Sequence, residues 1–360
     1  MLALLSEDSV QTFVETYPSI GTPALWGGFV AAVLVLLLFD QLVLHRKAHE
    51  IKTKEAVLWS IFWVALAAGF NVFLYFWVKA TAVGLEMPNG TTLDAEGAGK
   101  FATKTALDFM TAYVLEKALS VDNLFVFIII FGFFKVPPIL HHRVLFWGVL
   151  GAQVMRAGFI LGGAALVKQF DWMPWLLGGI LLYSAYKLLF AGEEEFKPDK
   201  NLAYRGFKKL VPMVEGYDSP NFFVKKNGKR YATTLLLVLV IVEFTDVVFA
   251  VDSVPVVLAI TPDSYIAFTS NILAILGLRA LYFVLARVMN LFHYLKTGLA
   301  LILLFVAAKM LLPLGWKIGK YFGWLAEDSD PVHISPWVSL SVIGILLGGS
   351  IAASLLFPKK

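Results

Sequence analysis

The chain has 360 residues, of which 59% are hydrophobic and 16% are charged, and its mean hydropathy is +0.75. Soluble domains contain about 45–50% apolar residues, so this composition excludes an ordinary soluble protein and predicts a membrane protein. Cysteine is absent, which excludes disulfides, thiolate metal sites and thiol redox couples. The formal net charge is +4. As shown by the positions of the basic residues below, this charge reflects membrane topology rather than nucleic-acid binding.

Nine apolar stretches are long enough to cross a bilayer, which takes about 20 mostly apolar residues. They are residues 25–44, 57–78, 106–131, 142–167, 173–190, 233–260, 265–287, 292–312 and 335–356. Residues 1–24 contain no Lys or Arg, so we expect a retained first span rather than a cleavable signal peptide. None of the stretches alternates like a β-barrel strand. We therefore predict an all-α polytopic membrane protein.

Lys and Arg are distributed unequally between the connections of the nine predicted spans. If the N-terminus is outside, the inner connections contain 19 of these residues and the outer connections contain six. Because cytoplasmic connections carry the excess of Lys and Arg, we predict an N-out/C-in topology in the cell inner (plasma) membrane. The predicted segments are 1–24 (outer), 25–78 (two helices), 79–105 (outer loop), 106–190 (three helices), 191–232 (cytoplasmic loop), 233–312 (three helices), 313–334 (outer loop) and 335–360 (last helix and tail).

The long inner connection, residues 191–231, ends in the basic run KKNGKR at 225–230. We interpret it as a solvated cytoplasmic linker whose basic end lies at the lipid headgroups. A regulatory or nucleic-acid-binding role is the alternative interpretation of this segment, although no nucleic-acid partner is expected for the protein.

Two of the apolar stretches, Ala112–Phe131 and Val240–Ile260, carry polar residues at membrane depth. These residues are Glu116, Asp122 and Asn123 in the first stretch, and Glu243, Asp246 and Asp252 in the second. An ionised carboxylate at this depth costs roughly 2.5 kcal/mol or more, so such residues indicate a functional site.

The two acidic stretches belong to an internal repeat of three consecutive spans. The matching pairs are Glu116 with Asp246 and Asp122 with Asp252 at an offset of 130, Arg156 with Arg279 at 123, and Lys187 with Lys309 at 122. In the predicted topology the third and sixth spans cross in opposite directions, so the repeats are inverted. Transporters with inverted repeats place their substrate sites near the bilayer midplane. Chance alignment of apolar helices is the alternative.

Helical periodicity places most of these polar residues on two faces, because residues i, i+4 and i+7 lie on one side of a helix. The faces comprise Glu116, Ser120 and Asn123 in the first repeat, and Glu243, Asp246, Ala250 and Ser253 in the second.

Asp122 and Asp252 do not share these faces, since they lie about 240° round the helix from the first acid of each motif. They either face a second cavity or turn inward where the helix breaks. Pro255 cannot bond the carbonyl of Val251, and we therefore predict a helix break at Pro255 in the second repeat.

The two faces offer carboxylate, carboxamide and hydroxyl oxygens, the hard ligands that suit Mg²⁺, Ca²⁺ or Mn²⁺. All six histidines lie in predicted loops or at span ends, which argues against a Zn²⁺, Cu⁺ or Ni²⁺ site. The same carboxylates would also serve a pure proton relay or a structural pairing with buried bases. The candidate counter-charges or gates are Arg156, Arg279, Lys187 and Lys309.

The sequence contains no HExxH, GxGD, GxSxG or Walker A motif. We therefore expect neither an enzyme nor a permanently bound cofactor.

The motifs EKALSVDNLFVF at 116–127, EFTDVVFAVDSVPVVLAI at 243–260 and SNILAILGLRALYF at 270–283 resemble those of the TerC/Alx family of integral membrane proteins. The resemblance extends over most of residues 25–356. It implies a member of the LysE-like exporter group with inverted three-helix repeats, Mn²⁺ export and, for the Alx branch, a link to alkaline stress. The family name derives from tellurite resistance. By motif, the metal pathway would consist of Glu116, Asp122, Asn123, Glu243, Asp246 and Asp252.

We therefore predict an exporter of a divalent cation, with Mn²⁺ the first candidate, in exchange for protons that compete for the same carboxylates. One alternative is a proton or other-cation transporter used in pH homeostasis. Another is a membrane scaffold linked to tellurite resistance, which recruits partners through the loop 191–231. The expected partners are the lipid bilayer, the divalent cation and protons.

Overall fold

A computed structural model describes residues 19–39, 53–86, 92–170, 172–190, 202–214, 216–217, 219–226, 228–288, 294–321 and 334–357. Helices dominate these residues. They are α1 (Pro23–Phe39), α2 (Thr53–Thr81), α3 (Ala95–Phe133), α4 (Pro138–Gln169), α5 (Met173–Phe190), α6 (Leu202–Leu210), α7 (Thr234–Ile260), α8 (Ser264–Leu276), α9 (Leu278–Val288), α10 (Leu295–Tyr321) and α11 (Pro336–Leu356). Three short strands lie between α6 and α7: β1 (Met213–Val214), β2 (Phe223–Lys226) and β3 (Lys229–Thr233).

The helices confirm an all-α polytopic membrane protein, but not the count of nine spans. Within the described residues, six helices are long and apolar enough to cross a membrane: α2, α4, α5, α7, α10 and α11. The bent pair α8–α9 makes a seventh if it is counted as one span. The two other predicted spans correspond to α1, which has 17 residues, and to α3, which has 39 residues and carries charged residues along its length.

Local signals account for where several helices begin. The side chain of Asp94 accepts a hydrogen bond from the backbone of Gly97 at 2.7 Å, so α3 begins at Ala95 rather than at residue 106. Asp263 caps α8 in the same way through the amide of Tyr265 at 2.8 Å. Because N-cap side chains satisfy amides that have no partner in the first turn, they fix these starting points.

The six helices α3, α4, α5, α7, α8 and α10 form the interior of the bundle. Helix α7 packs against α3, α4 and α5, and α8 packs against α3 and α4. Helix α5 packs along α10. Apolar residues of these helices form two buried clusters. One includes Val256, Ile266 and Ile302, and the other includes Leu124, Val238 and Ile241.

Helices α2 and α11 lie at the periphery, with large apolar side chains exposed. Examples are Leu58, Ile61 and Phe76 on α2 and Ile345 and Leu355 on α11, which are 57–72% exposed. In water such surfaces would be unfavourable, so these faces contact the lipid bilayer.

The helix break predicted at Pro255 is wrong. Helix α7 continues from Thr234 to Ile260 with Pro255 inside it. Proline removes only one backbone donor, and Pro255 together with Val256, Val257 and Leu258 is buried among other helices, so packing maintains the helix through this position.

The second repeat is broken elsewhere, at Gly277. Helices α8 and α9 meet there at an angle of 44°. A Cβ atom on Gly277 would lie 2.7 Å from Lys117 Nζ and 2.9 Å from Trp63 Cβ. Glycine is therefore required because α2 and α3 approach the break too closely for any side chain.

The loop 191–231 is more than the predicted linker, because much of it is folded. Strand β1 pairs with β3 in parallel and β2 pairs with β3 in antiparallel orientation. The described residues of the basic run, 225–226 and 228–230, belong to the β2–β3 hairpin, in which Gly228 has a φ of 75°. The hydroxyl of Tyr217 donates a hydrogen bond to the carbonyl of Phe134 at 2.8 Å, which fixes this small sheet to the end of α3.

Candidate cation site between α3, α4 and α7

Arg156 of α4 is the centre of a buried polar site. Its side chain is fully buried, although it is among the largest in the protein. Nε donates to Asp246 Oδ2 at 3.1 Å, and Nη2 donates to Asp246 Oδ1 at 3.1 Å. Nη1 donates to Ser253 Oγ at 3.2 Å and forms an ion pair with Glu116 Oε1.

The amide of Asn123 completes the set of acceptors around Arg156. In the amide orientation that satisfies both of its atoms, Asn123 Oδ1 accepts from Arg156 Nη2 at 3.0 Å and Nδ2 donates to the carbonyl of Leu119 at 3.2 Å. A guanidinium has five N–H donors, so each of the five has an acceptor here. The face predicted for α3 is confirmed, since Ser120 Oγ also donates to Glu116 Oε1 at 3.2 Å.

The face predicted for α7 is confirmed at Asp246 and Ser253, which both contact Arg156. Glu243, one turn earlier, is half-buried and lies against Gly151 of α4. A Cβ atom on Gly151 would overlap the Glu243 carboxylate. The two carboxylates of α7 therefore contact adjacent turns of α4. Asp246 binds Arg156, and Glu243 occupies the space beside Gly151.

The charges of this site do not balance. Glu116 and Asp246 are two carboxylates around one guanidinium, and Glu116 and Arg156 are fully buried. Glu116 Oε2 has no hydrogen-bond partner among the described residues. When both acids are ionised the cluster carries one excess negative charge, which favours the uptake of a cation or a proton.

Asp252 faces a different part of the bundle. Its carboxylate accepts a hydrogen bond from Ser184 of α5 at 2.6 Å. Asp252 therefore lies in an environment separate from that of Arg156, and it does not turn inward at a helix break. Its counterpart Asp122 lies on α3, but its side chain lies outside the described part of the structure.

The other predicted counter-charges are placed away from Arg156. Arg279 is buried, with its Cζ 5.2 Å from the centre of the Phe146 ring. Lys187 is exposed on α5. Lys309 donates to Ser339 Oγ at 3.0 Å, which links α10 to α11.

Lys117 is a site residue that the sequence reasoning missed. Its Nζ donates to the carbonyl of Ala274 at 3.0 Å, three residues before the break at Gly277. The last carbonyls of a helix have no intrahelical partner, and a cation there also interacts favourably with the helix dipole. The sequence feature that indicates a role for Lys117 is its position directly after Glu116, within an apolar span.

The predicted donor set is therefore only partly assembled in this structure. Within the described residues, no group of three or more His, Asp or Glu side chains is arranged to hold a metal ion. Glu116, Asp246 and Asn123 are brought together, but by a guanidinium. Their carboxylate and amide oxygens are nevertheless ligands that hard divalent cations accept.

These features define a polytopic α-helical membrane protein with a buried acid–base cluster at its centre. Residues 101–360 match the family described as Integral membrane protein TerC family, and the chain belongs to this family.

Relatives of similar length support this assignment. An uncharacterized membrane protein of Myxococcus xanthus is 40% identical over 343 residues, which cover 95% of each chain. The "Putative membrane-bound redox modulator Alx" of Escherichia coli K12 is 42% identical over 328 residues, 89% of this chain and 97% of that protein. The protein of the same name from Salmonella typhi is also 42% identical, over 89% of this chain and 96% of its own length. No solved structure matches the chain.

Proposed function

We propose that this protein exports a divalent cation, with Mn²⁺ the first candidate, and that Glu116 and Asp246 bind the cation when Arg156 withdraws. The observation that carries the proposal is the fully buried contact of Arg156 with acids from both repeats. In this view, Arg156 is an internal cation that neutralises the site between transport cycles.

The chemistry of the cluster supports exchange of the guanidinium for a metal ion. Two carboxylates, the Asn123 carboxamide and the Ser253 hydroxyl contact the guanidinium, and the Ser120 hydroxyl binds Glu116. A divalent cation would neutralise both carboxylates, whereas Arg156 neutralises one. Charged groups in membrane spans mark ion pathways, because their burial is costly without a function. Glu243 would extend the pathway by one turn along α7, and Asp122 and Asp252 would continue it.

The packing of the helices supports the proposed inverted repeat. The first helices of the two repeats, α3 and α7, contact each other, and so do the third helices, α5 and α10. Helix α7 also packs on α4 of the other repeat, just as α3 packs on α8. This reciprocal pattern is expected if a two-fold axis relates the repeats. The nine spans and the N-out/C-in orientation remain part of the proposal.

Proton coupling follows from the same acids. A proton on Glu116 or Asp246 and a metal ion between them exclude each other, so entry of protons would drive release of the cation. The name of the Alx relatives refers to redox modulation. Since this chain has no cysteine, we propose that any redox effect here follows from the cellular level of a redox-active metal such as Mn²⁺.

The test is the Mn²⁺ content of cells under Mn²⁺ stress, measured at equal membrane expression. We expect cells with the wild-type protein to hold less Mn²⁺ than cells with Asp246→Asn or Asp252→Asn. Glu86→Gln is the matched control, because Glu86 is an exposed carboxylate in a loop, and it should export like wild type. Equal Mn²⁺ in all strains would overturn the proposal.

The same variants separate the alternatives. Proton flux in proteoliposomes that persists in wild type without any Mn²⁺ flux would favour the proton transporter. A stress phenotype that survives Asp246→Asn but not replacement of residues 191–231 would favour the scaffold.

A further inference from the structure

A groove lies where α2 ends and where α3 and α11 begin. Its volume is about 640 Å³. The charged and aromatic residues that line it are Tyr75, Lys79, Glu96, Lys100, Lys104 and Trp337. No step of the proposed transport cycle uses these residues.

The groove carries an excess of positive charge. Three lysines and one glutamate line it. Lys100 pairs with Glu96 at 2.8 Å, but both side chains are more than two-thirds exposed, where such a pair contributes little and exchanges readily. Lys79 lies over the Tyr75 ring, with Nζ 5.8 Å from the ring centre. An anion in the groove would thus meet at least two ammonium groups.

Lys104 differs from the other two lysines because it is anchored. Its Nζ lies 2.6 Å from the carboxylate of Asp108, which is buried. This pair fixes the inner wall of the groove and leaves part of the Lys104 side chain exposed.

The position of the groove relates it to the membrane surface. Helix α2 ends and helices α3 and α11 begin on this side of the bundle, and Tyr75 and Trp337 lie in the terminal turns of α2 and α11. Tyr and Trp are enriched at the level of the lipid headgroups. Beside the groove, the ring of Phe76 lies 5.3 Å from the ring of Tyr75, and its exposed side chain offers an apolar surface to an acyl chain.

The distribution of charge makes the cluster unusual. In the predicted orientation, all outer connections together contain six Lys and Arg, and half of them are Lys79, Lys100 and Lys104. Basic residues are otherwise scarce on the outer side of membrane proteins. We therefore expect an anionic ligand in the groove where the three lysines converge.

We propose that this groove binds the phosphate headgroup of an anionic phospholipid, with the lysines on the phosphate and Trp337 against the upper acyl chain. The chemistry recognised is a phosphate monoanion, and the neighbouring apolar surface selects a lipid over a free anion. The bound lipid would fasten α2 and α11 to α3.

Native mass spectrometry of the full chain in detergent, with added phosphatidylglycerol, tests the proposal. The test variant is Lys79→Gln/Lys100→Gln, which leaves Lys104 with its buried partner. We expect about thirtyfold weaker lipid retention, since each lysine near an anionic lipid contributes roughly a fivefold factor. Lys208→Gln/Lys209→Gln is the matched control, because it removes the same charge from exposed positions in the last turn of α6, and it should retain lipid like wild type.

A second measurement locates the lipid. Brominated phosphatidylglycerol should quench tryptophan fluorescence, and the difference between wild type and Trp337→Phe gives the part due to Trp337. We expect this part to vanish in the Lys79→Gln/Lys100→Gln variant. Equal retention in the test variant and its control would overturn the proposal. So would inorganic phosphate that displaces the lipid at equal concentration, because the site would then be one for soluble anions.

Discussion

Arg156 donates two parallel hydrogen bonds to Asp246, from Nε and from Nη2, and both are 3.1 Å long. Bidentate pairing adds both energy and geometric specificity to the contact between a guanidinium and a carboxylate. The two residues are 90 positions apart and belong to different repeats. Their contact therefore joins the two halves of the protein at the buried centre of the bundle.

Arg156→Met should destabilise the protein by about 3–5 kcal/mol, because it leaves two buried carboxylates without a counter-charge. Arg156→Lys should cost less, since it keeps the charge but cannot make five hydrogen bonds. Thermal unfolding in detergent measures both effects. If the acids bind the cation, Mn²⁺ should raise the Tm of Arg156→Met more than that of wild type. An equal effect of Mn²⁺ on both proteins would contradict competition between Arg156 and the metal.

Gly151→Ala should abolish Mn²⁺ export, because a methyl group at this position overlaps the Glu243 carboxylate and must displace it. Gly158→Ala on the same helix is the matched control, since a Cβ atom there meets no other atom within 4 Å. Export from cells at equal membrane expression is the measurement. Full export by Gly151→Ala would show that the position of Glu243 is unimportant.

Lys117→Met should lower the stability of the bundle by about 1.5–3 kcal/mol, the contribution typical of a hydrogen bond to a charged group. The loss arises because the carbonyl of Ala274 keeps no cationic donor next to the helix break. Lys226→Met, on an exposed strand, should leave the Tm unchanged. Hydrogen exchange should also increase in α8 and α9 of Lys117→Met, and unchanged exchange there would refute the role of Lys117 as a cap.

The sheet that follows α6 should remain docked on α3 under alkaline conditions. Burial raises the pKa of Tyr217 from 10.0 to about 12, so the unfolded state loses this proton first. The stabilising contribution is therefore complete below pH 10 and is lost as the pH rises towards 12. Hydrogen exchange of residues 213–233 should be equal at pH 7 and pH 9 after correction for the intrinsic rate. Tyr217→Phe should accelerate it at both values, and a selective increase at pH 9 in wild type would contradict the prediction.

Several features could be predicted because they depend on residues close together in the chain. The shared face of Glu116, Ser120 and Asn123 follows from the helical period alone, and the structure confirms it. The Asn-Gly pair at 227–228 is also a local hairpin signal, and strands β2 and β3 lie on either side of it.

Other predictions failed where packing outweighed a local rule. Pro255 disfavours a helix, yet α7 continues through it because neighbouring helices enclose this segment. The break lies instead at Gly277, where Trp63 and Lys117 leave no space for a side chain. Such an approach between residues 160 or more positions apart cannot be recognised from the local sequence.

By itself, the sequence determined an all-α membrane protein of the TerC family with acids at membrane depth. Apolar length, helical period and motif are properties of single segments, and each can be read without knowledge of its neighbours. Only the tertiary structure decided that Arg156 binds Glu116 and Asp246, whereas its counterpart Arg279 lies over Phe146. The choice between two equivalent arginines depends on which helices pack together, since only the packed bundle brings buried charges from distant segments into contact.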